Sequence, residues 1–263
     1  MNHTSKDFEF LGRVSVAESI ESYAEAAISH LSKSFSAQSV IGISYRRGGE
    51  PSILFRWIPD KELCLRFDQD YGKFGFMLDP YYQQAWLTED WAAFPLRAIA
   101  PDRFETSDYF TAYFGATQMV DEMSFVARVS NNVSVSLSLG RNSGERRYRQ
   151  GEINRFKQYC HVLAPKLRQI VVHQPPERTE DAKPLEQRFL ALSESRGSNI
   201  SKREAEVAAL IVLGHSSRAI GLKLQISNHT VKVHRRSLYK KLIISSQNEL
   251  FRLLVEYDWN TRA

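Results

Sequence analysis

Five cations crowd one short segment of this 263-residue chain. In ISNHTVKVHRRSLYKKL, Ile226 to Leu242, the residues Lys232, Arg235, Arg236, Lys240 and Lys241 occur with no acid among them. A surface helix usually mixes signs so that residues four apart can pair. Positive charge left unmixed suits a polyanion, to which Lys and Arg donate at phosphates and at guanine O6 and N7. A second gathering lies between Leu65 and Trp91, LRFDQDYGKFGFMLDPYYQQAWLTEDW, where Phe67, Tyr71, Phe74, Phe76, Tyr81, Tyr82, Trp86 and Trp91 stand with Asp68, Asp70 and Asp79. Aromatic faces beside acids suit a cationic or amide ligand, through cation–π contact and charged hydrogen bonds. Core packing is the alternative for any one of these rings.

No nucleophile–base pair, phosphate loop or metal-ligand spacing stands out, so no enzyme activity, metal or cofactor is expected. Cys64 and Cys160 lie far apart without C-x-x-C spacing and read as small apolar thiols. His161, His215 and His234 have no second ligand at metal spacing. The N-terminal MNHTSKDFEFLGRVSV has no apolar signal region, and no apolar run reaches the roughly 20 residues of a membrane span. A soluble, cytoplasmic protein without membrane contact is the expectation.

The elements that must position these residues fall into two modules. From Ile200 onward the chain carries 11 Lys+Arg and 5 Asp+Glu, against 24 and 25 before it, so the basic character belongs to the last quarter. QPPERTEDAKPLEQ, Gln174 to Gln187, holds three prolines and no apolar period, and reads as a linker. The expected organisation is a sensor and dimerisation domain over 1–173, the linker over 174–187 and a DNA-binding domain over 188–263. In the first, Ser15 and Glu18 form a capping box for a helix from Val16 to Phe35. Two strands surround Gly48-Gly49, and Pro80 starts a helix. A short helix covers SDYFTAYFGAT. Two more strands, MSFVARVS and VSVSLSLGR, flank Asn131-Asn132, which tolerate positive φ in a tight turn. Val133, Val135, Leu137 and Leu139 alternate with serines, giving one buried face. A helix from Gln150 to His173 contains Pro165, where a kink is expected. Hairpins rather than strand-helix-strand units imply a central antiparallel sheet with helices on its faces. The class is α+β: an N-terminal α/β/α sensor domain joined to a C-terminal four-helix, all-α helix-turn-helix domain. The element order of the first module resembles that of GAF/PAS-like sensor domains.

In the second module Ser201 and Glu204 cap KREAEVAALIVLG, which stops at Gly214. Ser216 caps SRAIGLKL. Ser227 or Asn228 caps the cationic helix, whose Val231, Leu238 and Leu242 form one buried stripe. Ser246 and Glu249 repeat the capping box for a fourth helix carrying Leu250, Leu253, Leu254 and Tyr257. The stretch ISKREAEVAALIVLGHSSRAIGLKLQISNHTVKVHRRSLYKKL closely resembles the DNA-binding domain of LuxR-type transcriptional regulators. The match includes Ser201, Glu204, Val207, Gly214, Ser216, Ile220, Leu224, Ser227, Thr230, Val231, Lys232, Lys241 and Leu242. Departures fall at Ser217 for the usual Asn, Ala219 for an acid, Gly221 for Ala and Gln247 for Arg. The last puts one expected contact in doubt. By this resemblance Lys232, Val233 and Arg236 face the major groove, Val233 being suited to a thymine methyl. Thr230, Arg235, Lys240 and Lys241 are placed for phosphates, and His234 for packing.

The resemblance implies double-stranded DNA as partner, an inverted-repeat operator bound by a homodimer, RNA polymerase contact and activation. Leu250, Leu254 or Tyr257 is the expected dimer contact. Such modules follow either a phosphorylated receiver or a small-molecule sensor, and residues 1–173 lack the parallel β-α units and paired acids of a receiver. Asp79-Pro80 resembles the Asp-Pro of acyl-homoserine-lactone-binding domains of quorum-sensing regulators, which makes Asp79 the expected polar anchor of an effector pocket with Tyr71, Phe76, Tyr81, Tyr82, Trp86 and Trp91. The wider tryptophan and tyrosine pattern of that family is not reproduced, as in a divergent or orphan relative. Asp121 and Glu122 either join this pocket or form salt bridges with Arg103 or Arg128. The alternative for the whole module is a dimerisation and interaction platform that takes no ligand.

Overall fold

The computed structural model describes residues 4–47, 50–71, 76, 79–102, 104, 110, 118–173 and 184–261. The chain divides into two compact units, one of residues 1–99 with 117–181, the other of 100–116 with 182–263. Among the described residues no helix is long and apolar enough to cross a membrane.

In the first unit, α1 (Ser5–Ser15) and α2 (Ile20–Ser34) precede β1 (Ser39–Arg46) and β2 (Ser52–Trp57). There follow α3 (Lys61–Asp70), α4 (Pro80–Ala85), β3 (Trp91–Pro95) and α5 (Leu96–Ile99). Then come β4 (Met119–Arg128), β5 (Val133–Asn142) and the long α6 (Gln150–Val172), with Pro165 inside it. The five strands form one sheet in the order β2-β1-β5-β4-β3, every pair antiparallel. The long first helix expected from Val16 is two helices. Ser15 donates to the Gly12 carbonyl at the end of α1, and Ser19 caps α2 by accepting from the Ser22 amide. The segment expected to form a helix at SDYFTAYFGAT falls almost entirely outside the described residues, as does Gly48-Gly49.

Register decides which side chains share a face. Val40, Leu139 and Met123 align across three strands, as do Leu137 with Phe125 and Val135 with Ala127. This face packs on α2 and α6 through Tyr23, Leu31, Phe156, Leu163 and Leu167. Complete burial of each such aliphatic side chain contributes about 1.5–3 kcal/mol. The opposite face carries Ile41, Ile43 and Tyr45 beside Ser138, Ser136 and Ser134. Those serines are also buried, so β5 has two covered faces rather than one. Burial of a hydroxyl is tolerable when it is hydrogen-bonded, and Ser134 donates to Ala127 O (3.0 Å) and Ser124 to Leu137 O (2.9 Å). The turn between β4 and β5 uses no positive φ at Asn131 or Asn132. It is wide enough to close in ordinary conformations, with Val129 and Ser130 amides both donating to Val133 O.

The second unit contains α7 (Leu185–Ser195), α8 (Lys202–Val212), α9 (Ser217–Leu224), α10 (Asn228–Leu242) and α11 (Gln247–Thr261). The last four are the expected helices, and α7 precedes them. Their caps follow the sequence signals: Ser201 with Glu204, Ser216 to the Ala219 amide, Ser227 to the Thr230 amide, and Ser246 to the Glu249 amide. Gly214 ends α8 at φ 87°. The end of α10 is less comfortable. Ile243 N donates to Lys240 O and Ile244 N to Tyr239 O, closing the helix with Ile243 in the left-handed region at φ 56°. A β-branched residue is strained there, by roughly 1–3 kcal/mol, and Ile243 is 87% exposed, so no packing offsets it. Ile243→Gly should therefore stabilise the C-terminal unit by about 1 kcal/mol, after allowing for the larger unfolded-state entropy of glycine. A urea-denaturation midpoint that stays put or falls would show that the strain is relieved elsewhere.

Candidate nucleic-acid interface and candidate ligand site

α9 and α10 meet across Gln225-Ile226-Ser227. Gln225 takes a left-handed conformation, φ 54°, and the Ile226 amide returns to Gly221 O at 2.9 Å. A Cβ at Gly221 would lie 2.8 Å from Ile226 O, so the turn approaches α9 more closely than a methyl group permits. This is the physical content of glycine at that position.

On α10, Val231, Leu238 and Leu242 are fully buried. At about 100° per residue, Lys232, Val233, Arg236 and Lys240 fall together on the opposite side, and all four are exposed. Val233 is 52% exposed although apolar. The other three expected contact residues lie off this face. Arg235 is half-buried, with its guanidinium over the Tyr239 ring at 5.2 Å. The Thr230 hydroxyl lies 2.8 Å from Ser227 Oγ at the helix start. Lys241 donates to Glu204 at 2.8 Å, although its side chain is still 39% exposed. Its position follows from helix geometry, nearly a right angle from the buried stripe of Val231, Leu238 and Leu242, toward α8.

Glu204 is 4% exposed and serves three partners: the Ser201 amide, Lys241 and Ser237. Burial alone would raise its pKa; the hydrogen bonds from Lys241, Ser237 and Ser201 overcome this and hold it at about 2. One carboxylate thus caps α8 and ties it to α10. Arg203 closes the end of α9 at Leu224 O (2.5 Å). Gln247 donates to Ile211 O (3.1 Å), so α11 remains anchored where an arginine was expected. Leu250 and Leu254 are buried within this unit, 0% and 2% exposed, and are core rather than a dimer contact. Amphipathic spacing cannot tell a face turned toward α7 and α8 from one turned toward a second chain.

In the first unit, Asp79 lies against the serine-bearing side of the sheet. Its Oδ1 accepts from the Tyr81 amide (2.8 Å), capping α4, while Oδ2 accepts from Tyr71 (2.5 Å) and Tyr45 (3.2 Å). Burial pushes the carboxyl up to about 6, against the lowering effect of those hydrogen bonds. Phe76 and Tyr82 pack edge to face at 5.1 Å, and Tyr82 does the same with Tyr45 and Trp86. Tyr81 donates to the carbonyls of Phe94 and Glu122, both at 3.2 Å. Six of the expected residues, Tyr71, Phe76, Asp79, Tyr81, Tyr82 and Trp86, therefore come together.

Trp91 does not join them. Its register opposite Ala127 turns it to the helix-packed face, where it meets His161 of α6 edge to face at 4.8 Å. Strand alternation also separates Asp121 from Glu122. Asp121 is paired with Arg97 (3.1 Å) and accepts from the Tyr148 amide (2.8 Å). The Glu122 carboxyl is desolvated; burial first, then the charge of Asp79, raises it to about 8 despite a bond from Ser138. Neither acid pairs with Arg128, which donates to Ala85 O and Thr88 O and lies over Trp86 at 5.7 Å. Tyr45 escaped the sequence reading, although strand alternation with Ile41 and Ile43 places it on this face.

Two helices across a tight turn, the second cationic and exposed along one stripe, define a helix-turn-helix DNA-binding domain. Residues 198–254 match the GerE model of bacterial regulatory proteins, luxR family, and belong to it. With this domain the chain is a DNA-binding transcriptional regulator. It is similar to an HTH-type transcriptional regulator from the exeN 3′ region of Aeromonas salmonicida, 27% identical over 190 residues, 68% of this chain and 94% of the relative. The response regulator TmoT of Ectopseudomonas mendocina is 39% identical over 64 residues, 24% of this chain and 29% of TmoT. In fold, the VqsR LBD domain from Pseudomonas aeruginosa aligns at TM-score 0.53 with 21% identity, covering 65% of this chain and all of that one.

Proposed function

We propose that this regulator responds to a small molecule bound against the serine-bearing face of the sheet, with Asp79 as polar anchor, and that it acts as a homodimer on an inverted-repeat operator to activate transcription. Its domains are then those expected, 1–173 for sensing and 188–263 for DNA. The observation that carries the reading is the Asp79 carboxylate. It is 8% exposed, and its Oδ2 accepts from side-chain hydroxyls, Tyr71 and Tyr45, with which a ligand N–H would compete. The resemblance of Asp79-Pro80 to autoinducer-binding domains supports the same anchor. An effector changes DNA occupancy only by binding two states of the protein unequally. Contact with RNA polymerase rests on resemblance to LuxR-type activators.

The second reading, a ligand-independent platform, draws on the same residue, because Asp79 already caps α4 and has all its bonds within the protein. Native mass spectrometry of the full chain separates the two: a copurified small molecule supports sensing. In Asp79→Asn we expect normal folding, unchanged DNA binding without effector, and loss of response to that molecule. Full response in Asp79→Asn, or loss of melting temperature alone, makes the carboxylate structural.

A further inference from the structure

α1 and α2 leave between them a cleft of about 500 Å³, bounded also by Arg155 of α6. It lies on the helical side of the first unit, apart from Asp79. Phe10 and His30 stack within it, ring centroids 4.2 Å apart and nearly parallel. Asp7 at its base is 7% exposed and fully engaged. It accepts from the Thr4 amide (2.8 Å) and the Tyr159 hydroxyl (2.7 Å), and His30 Nε2 lies 3.3 Å away. Ser34 Oγ sits 3.1 Å from that same Nε2. Serine, histidine and aspartate are adjacent here, yet they cannot form a catalytic relay. A relay needs the serine and the acid on opposite ring nitrogens.

Its charge is lopsided. Lys6, Lys33, Arg13 and Arg155 line it, against Asp7 and Glu9. Arg13 is paired with Glu25 at 2.9 Å, and the charge of Asp7 is taken up by its own partners. Arg155 lies over the Phe35 ring at 4.5 Å and holds the end of α2 through the Ser34 carbonyl, and its Nε is buried with no hydrogen-bond partner. A guanidinium fixed by stacking and by one carbonyl loses little freedom on meeting an anion, and its fork matches carboxylate or phosphate geometry.

We propose that the α1–α2 cleft is a second binding site, for the carboxylate or phosphate group of a small anionic molecule, held by Arg155 and flanked by Lys6 and Lys33. The test is titration of the isotope-labelled full chain, followed by amide NMR, with inorganic phosphate in one arm, benzoate in a second and sodium chloride at matched ionic strength in a third. Saturable shifts at Phe10, His30 and Ser34, weakened at least fivefold in the double variant Lys6→Gln/Lys33→Gln, are expected. Phosphate alone, or benzoate alone, saturating the site assigns the class. Both substituted lysines are exposed, so folding is not at issue, and Arg155→Lys, which keeps the charge but loses the fork, should weaken binding as well. Shifts that chloride reproduces, or that the double variant leaves unchanged, overturn the proposal.

Discussion

Arg236→Ala and Lys232→Ala should each weaken binding to the operator by about 1–3 kcal/mol, roughly 5- to 150-fold, and relax preference at particular base pairs. Both side chains stand on the exposed stripe of α10 with Val233. Lys240→Ala, on the same stripe but a turn further on, should weaken all sequences alike and lower the salt slope by about 1. Lys241→Ala is the discriminating control. Its ammonium is bound to buried Glu204, so the loss should register as lower stability of the domain, because Glu204 is left desolvated without its cation. Affinity of the folded fraction should change little. Gel-shift titrations on cognate and random DNA at several salt concentrations measure all four. Equal losses on the two DNAs for Arg236→Ala would remove it from base reading, and a reduced salt slope for Lys241→Ala would return that residue to the phosphates.

The first unit should lose thermal stability as pH rises from 5 to 8. Glu122 carries the main reason. Its pKa is about 8 in the fold, against 4.5 as the ordinary value, because burial and the neighbouring Asp79 disfavour its charge. Across that interval the folded chain keeps a proton that the unfolded chain has released, so stability falls with increasing pH. Asp79, raised to about 6, adds to the fall below that value. Glu152, held near 2, and Asp7, also lowered, act in the opposite sense but only in more acid solution, as pH drops below the ordinary carboxylate range. His30 opposes the trend inside the window. Burial lowers its pKa, so its contribution is lost as pH falls through 6.5. The difference between wild type and Glu122→Gln isolates the carboxyl, since the amide cannot titrate. A melting temperature that drops by roughly 5 °C or more between pH 5 and 8 in the wild type, with most of the drop absent from Glu122→Gln, is the expected result. Parallel profiles for the two proteins would show that Glu122 is solvated. An effector that donates to Asp79 or Glu122 should also flatten the wild-type profile, which links this measurement to the proposed site.

Local signals in the sequence determined most of the C-terminal unit. The capping serines at 201, 216, 227 and 246, the glycine at 214 and the buried stripe of α10 act within one or two helical turns, so their effects can be read from spacing alone. The cationic face required nothing more than the 3.6-residue period. Tertiary structure decided what each side chain faces. Lys241 and Arg236 look equivalent in sequence, and only the packing of α8 against α10 pairs the first with Glu204. Leu250 and Leu254 likewise show an apolar stripe but not its partner. In the first unit the strands alternate, so a single step of register separates Asp121, paired with Arg97, from Glu122, desolvated beside Asp79. The same alternation removes Trp91 from its aromatic neighbours and brings in Tyr45, 34 residues before Asp79. Contacts between residues so far apart depend on which strands pair and in what register. That is a property of the whole sheet and has no local trace.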